Sequence, residues 1–232
     1  MRIAEPLFPN DDGSADPQLI AAISGGDRYE IVRALAKTRV FIALLATLEG
    51  TAMDNSDAKI QQSGTGTEQE SEVSLAWLVD GPVKALPIFT SIAALNVWSV
   101  VARPLGVEAQ RAAVVALADG EIAVMDPGGK NPIEIGPSAL RSLALGYEYV
   151  PISLDVEVKR AIEEALAGSL NRGQQIDFSV AGDFPEDLVI TLADPIPVPD
   201  HAQLSTLAHR LAEDARIRLR LEAGLQVKIA TR

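Results

Sequence analysis

Apolar residues along the chain follow two rhythms, and the switches between them mark out the elements. In DPQLIAAISGG (16–26), Leu19, Ile20 and Ile23 share a helical face. Asp16 suits its cap, Pro17 its first position, and Gly25 and Gly26 its close. A second helix is predicted over about 28–37, carrying Ile31, Val32 and Leu35. VFIALLA (40–46) is apolar throughout, the pattern of a central strand buried on both faces. Between 48 and 73 the pattern stops. Ser, Thr, Gly, Gln and acids dominate there and leave nothing to bury, which predicts a mobile acidic loop.

SLAWLVD (74–80), a Gly-Pro turn and KALPIF (84–89) read as a hairpin. Pro87 has no N–H for a ladder and is expected at an edge or bulge. Thr90 or Ser91 caps the next helix, which holds Ile92, Leu95 and Trp98. After an extended piece near 103–107 come a helix in EAQRAAVVALADG (108–120), a strand in EIAVMD (121–126), the turn PGGKNP, a short strand IEI and a helix in PSALRSLALG (137–146).

The remaining chain has its own pattern. A helix over 155–167 sets Val158, Ile162 and Leu166 four apart, and IDFSV (176–180) and LVITL (188–192) alternate. DPIPVPD (194–200) reads as a stiff linker, and Asp200 caps a helix bearing Leu204, Leu207, Ala208 and Leu211. RIRLRL (216–221) and LQVKIA (225–230) alternate on either side of Gly224, as a hairpin does. The fold class is therefore α+β. A mixed-sheet domain over 1–147 precedes a smaller two-layer α-β-β-α-β-β domain over 154–232, with the boundary at YEYVPISL (147–154).

Composition narrows the function classes. The 232 residues are 47% hydrophobic, enough to bury a core in each domain. A net charge of -12 argues against general nucleic-acid binding and against anionic membrane surfaces. There is no cysteine, so neither a disulfide nor a thiolate metal site forms. MRIAEPLFPNDDGS has no apolar signal core, and the longest apolar run, VFIALLATL (40–48), falls well short of the ~20 residues that span a bilayer. The expectation is a cytoplasmic protein with no membrane and no nucleic-acid partner.

Several ordered blocks carry a resemblance. ALPIFTSIAALNVW (85–98), AQRAAVVALADGEIAVMDPGG (109–129), IGPSALRSLALG (135–146) and, upstream, RALAKTRVFIALL (33–45) resemble the N-terminal domain of the SseB family over about residues 28–146. The family is named for enhanced serine sensitivity. The second half is similar, more loosely, to the C-terminal domain of some members. The resemblance implies the fold and brings no catalytic residues with it. Asp126-Pro127 stands here where many relatives have Asn-Pro, which speaks against an essential amide.

Little in the sequence points to chemistry. His201 and His209 are eight apart, ~12 Å on a helix, too far to share one metal ion. Asp54 and Asp57 in DNSD lack the glycine and terminal glutamate of a calcium loop. Gly-Gly-Lys at 128–130 runs into Asn-Pro instead of the Ser/Thr and helix of a phosphate loop. No catalytic, metal or cofactor residue is assigned. Two sites remain. If RIRLRL is a strand, Arg216, Arg218 and Arg220 share a face, with Lys228 beside them. Residues 200–232 hold six basic and four acidic side chains, a net of +2, against -14 for 1–199. That face is the candidate docking surface for an acidic protein partner. Thr90 and Ser91, at a helix start, are the candidate anion site. The functional expectation is a non-enzymatic protein acting through protein contacts, with a homo-oligomer as one form. The alternative is a small-molecule or anion-binding regulator using the Thr90/Ser91 corner.

Overall fold

A computed structural model describes residues 8, 11–47, 59–60, 72–120, 122–169, 175–183, 187–222 and 224–230. The chain divides into two compact units, 1–148 and 149–232.

The N-terminal unit opens with two helices, α1 (Pro17–Gly25) and α2 (Arg28–Leu35), each started by an aspartate cap, Asp16 and Asp27. Gly26 closes α1 at φ 74, in the left-handed region that a side chain resists. An eight-stranded mixed sheet follows. Its centre is β1 (Arg39–Thr47), and β2 (Lys59–Ile60), β3 (Glu72–Leu75) and β4 (Leu78–Asp80) lead to β5 (Val83–Phe89). Next come α3 (Ile92–Trp98), β6 (Arg103–Glu108), α4 (Ala109–Asp119), β7 (Ile122–Met125), β8 (Ile133–Ile135) and α5 (Pro137–Leu145). β6 pairs antiparallel with β1, β7 parallel with β5, and β8 antiparallel with β7. Alternation along β1 sorts its side chains between two layers. Phe41 and Ala43 meet Phe89, Leu95 and Ala102 in the core under α3. Val40 and Ile42 turn to the opposite face, and all of these are buried.

Two expectations for this unit change. The acidic stretch 48–73 lies mostly outside the described residues, but Lys59 and Ile60 pair antiparallel with Val79 and Leu78, so part of it joins the sheet. Pro87 is buried in a central strand, not at an edge. The sheet tolerates it because β5 changes partner there. Val83–Ala85 pairs with β4, whereas Ile88 and Phe89 pair with Ile42 and Phe41 of β1. Asp126 N–H donates to the Ile88 carbonyl, so the backbone of Ile88 faces β7 and that of Pro87 faces the other way. On that side β1 and β4 part around the segment 75–78, and among the described residues no ladder partner stands opposite Pro87. The missing donor coincides with the fork.

The C-terminal unit runs α6 (Val156–Ser169), β9 (Gln175–Asp183), β10 (Asp187–Ile196), α7 (His201–Glu213), α8 (Ala215–Arg220) and β11 (Leu225–Ala230). β10 lies between β9, antiparallel to it, and β11, parallel to it. Val158, Ile162 and Leu166 of α6, Leu207 and Leu211 of α7, and Ile217 of α8 close over Leu188, Ile190 and Leu192 of β10. Asp200 and Gln203 form a reciprocal capping box at the start of α7. The order is thus α-β-β-α-α-β, and RIRLRL is a helix where a strand was expected. Asp214 accepts from the Arg216 N–H as its cap, and Leu and Arg are good helix formers. One turn then suffices to bury Ile217. β10 also runs on into the first part of the expected proline linker.

Candidate functional site

The junction between β5 and α3 gathers polar side chains from four segments. Ser91 caps α3, its Oγ accepting from the Ala94 N–H at 3.0 Å. Thr90 is buried, and both its donors point to one carboxylate: its N–H reaches Asp126 Oδ1 at 2.9 Å and its hydroxyl Asp126 Oδ2 at 2.8 Å. Asp126 follows β7 at φ 51, the only non-glycine with positive φ among the described residues. Asp and Asn tolerate that conformation better than other side chains. The adjacent proline and two glycines complete the turn.

Arg39 seals the other side. Its Nη1 donates to the Thr90 carbonyl at 2.8 Å, and its Nη2 to Asp11 Oδ1 at 2.7 Å. Short contacts link Nε to Asp11 Oδ2 and Nη2 to the Ser14 carbonyl. The guanidinium lies 4.1 Å from the centre of the Phe41 ring. The hydrogen bond from Arg39 holds the Asp11 carboxyl below the usual carboxylate range. Beneath the corner, Phe89 and Trp98 pack with ring centres 5.4 Å apart. Gly128 lies against Trp98: a Cβ there would fall 2.8 Å from the Trp98 Cα.

The corner therefore brings Thr90 and Ser91 together, with their polar groups already engaged within the chain. Arg39, Asp11 and Asp126 complete it, and sequence reasoning assigned none of them a role. The Asp-Pro-Gly-Gly turn was the visible signal for Asp126, and its link to Thr90 spans 36 positions.

The arginine face is dispersed. In α8, Arg216 and Arg220 fall on one side of the helix and Arg218 on the other. Arg216 binds Asp214 Oδ2 at 2.7 Å and Glu164 Oε2 at 2.6 Å. These contacts lower the carboxyls of both acids and raise the guanidinium, Asp214 first. Arg220 binds Asp155, which also caps the start of α6. Arg218 is exposed. Lys228 stands on β11 opposite Thr191, on the sheet face turned away from the helices. The four residues form no common face. His201 and His209 are both exposed on α7. Among the described residues, no three His, Asp or Glu side chains converge to hold a metal ion, and no helix is long and apolar enough to cross a membrane.

These features define an α+β chain whose first unit is a helix-covered mixed sheet with a polar clasp at the β5–α3 junction. Residues 18–142 match the model of the SseB protein N-terminal domain, and the chain belongs to the SseB family. Comparison with curated proteins and with solved structures gave no match.

Proposed function

We propose that the protein acts through protein–protein contacts, without turning over a substrate, and that its contact surface lies on the N-terminal unit between α3 and β6. The observation that carries this reading is an apolar stretch open to water: Val97, Val100 and Val101 are 70%, 84% and 68% exposed. Scattered exposed apolar side chains are ordinary, and three within five residues support reading this stretch as a contact surface. The polar clasp supports the same reading, since the donors of Thr90 and the cap of Ser91 serve the fold and leave the anion-site alternative without support. The acidic, cysteine-free sequence supports a cytoplasmic setting.

Val97, Val100 and Val101 changed together to Ser test the reading. The melting temperature is expected to hold, since none of the three is buried, while proteins cross-linked to the wild type in cells are lost from the variant. A folded variant that cross-links the same set would overturn it.

A further inference from the structure

We infer that β6 pairs antiparallel with β6 of a second copy of this chain, about a two-fold axis at Gly106. The inference rests on the reading of this region as a contact surface and names its occupant.

The hydrogen-bonding sides of β6 follow from two bonds. Ala109 N–H donates to the Thr38 carbonyl, which continues the β1–β6 register one step beyond Arg39 opposite Glu108. Directly opposite antiparallel residues alternate between bonded and non-bonded pairs. Arg103, Leu105 and Val107 therefore bond to β1, and Pro104, Gly106 and Glu108 turn their backbones outward. The Ala43 carbonyl agrees: Ala43 stands opposite Pro104, and it accepts from Ala76 on the far side of β1.

Among the described residues, β1 is the only strand that pairs with β6. Its outward edge offers four groups. Gly106 supplies an N–H and a carbonyl, Glu108 an N–H, and Pro104 a carbonyl. Pro104 has no N–H to give. The Glu108 carbonyl, at the N-cap of α4, belongs to the first turn of that helix.

Those two gaps are complementary. In antiparallel pairing centred on Gly106, each Gly106 exchanges both bonds with the partner's Gly106. Each Glu108 N–H meets the partner's Pro104 carbonyl. The position where Pro104 lacks a donor falls opposite the partner's Glu108 carbonyl, which is already engaged. Two donors thus meet two acceptors from each chain, and none is left over. A proline on an edge normally blocks pairing with foreign strands. Here it limits the edge to a partner with the same pattern, which this chain itself supplies. Leu105, 42% exposed, gains the partner's Val107 as its neighbour, and the exposed Val100 and Val101 ends run past the partner's Glu108.

The absence of cysteine gives a direct test. The two Gly106 Cα atoms would lie about 5.5 Å apart in a bonded antiparallel pair, within the span of a disulfide. The nearest atoms to a Cβ at Gly106 belong to the Phe41 and Phe8 rings, at 3.4 and 3.6 Å, ordinary contact distances. Gly106→Cys should cross-link under mild oxidation to twice 24.6 kDa, and Val114→Cys, on the exposed side of α4, should not. Wild-type protein should sediment as a dimer at about 100 μM, a range typical of weak specific association. Two chains of charge -12 repel, so added salt should tighten the dimer. Leu105→Asp should weaken it at least about tenfold, the scale of one desolvated charge. A wild type that stays monomeric, or a dimer in which only Val114→Cys cross-links, overturns the pairing. The broader contact reading then stands or falls separately, on the cross-linking of the triple valine variant.

Discussion

Asp126→Ala removes both acceptors from a residue with almost no access to water. Thr90 is 3% exposed, and its N–H and hydroxyl lie 2.9 and 2.8 Å from the carboxylate. A hydrogen bond to a charged acceptor contributes ~1.5–3 kcal/mol, and a buried donor left alone loses that in full. Asp126 is itself half-buried, so water partly replaces it and the lower end applies: ~3 kcal/mol for the pair. Alanine at φ 51 adds ~1 kcal/mol of backbone strain that aspartate largely avoids. The expected loss is therefore about 4 kcal/mol. Asp126→Asn keeps one acceptor and the backbone preference and should cost ~1 kcal/mol. Asp126→Gly relieves the strain but not the lost bonds, at ~3 kcal/mol. Both tryptophans, Trp77 and Trp98, lie in the N-terminal unit, so urea unfolding followed by tryptophan fluorescence reports on this unit alone. An alanine variant that loses under 1 kcal/mol, or an asparagine variant as weak as alanine, would refute the assignment of the clasp as a main support of the corner.

Three further outcomes are expected. Gly128→Ala should destabilise by ~1–3 kcal/mol although Gly128 is exposed, because the added Cβ strikes the Trp98 backbone; an unchanged urea midpoint would contradict this. Asp11 and Asp214 have lowered folded-state pKa values, so their stabilisation is present above the unfolded value of ~4 and disappears as pH falls through the lower folded values. Melting followed by circular dichroism below pH 4 should therefore decline less steeply in Asp214→Asn than in wild type, and parallel curves would count against it. Arg218→Ser should leave the melting temperature unchanged while Arg216→Ser lowers it, since only Arg216 binds two carboxylates; equal effects would undo the distinction drawn within α8.

Elements with an unambiguous rhythm were legible from the sequence. Asp16 with Pro17, Asp200 with Gln203, and the four-residue spacing of Val158, Ile162 and Leu166 are local signals, and local chemistry decides those helices. RIRLRL misled because its alternation is compatible with either state. What tipped it was Asp214, two residues upstream of Arg216, which caps a turn the strand reading ignored. Pro87 misled for a different reason. A proline rule applies to one side of a strand at a time, and only the tertiary register reveals which neighbour stands opposite. The clasp was hidden because Asp11, Arg39, Thr90 and Asp126 lie tens of residues apart and none belongs to a motif. The arginine face was lost along with the strand that defined it.

The fork at Pro87 divides the sheet mechanically. Beyond Ile42 and Ile88 the two long strands share no rungs, and β3 and β4 each hold one prong through their own short ladder. A force pulling Thr47 and Glu72 apart would thus peel the β3 ladder rung by rung from that end and stop at the fork. The rungs at Phe41–Phe89 and Ile42–Ile88, and the clasp next to them, would carry none of that load until the outer prong had opened. Protection from hydrogen exchange should step at the same place, with the amides of Leu45 and Thr47, which face β3, opening in one cooperative group and that of Phe41, which faces β5, in another.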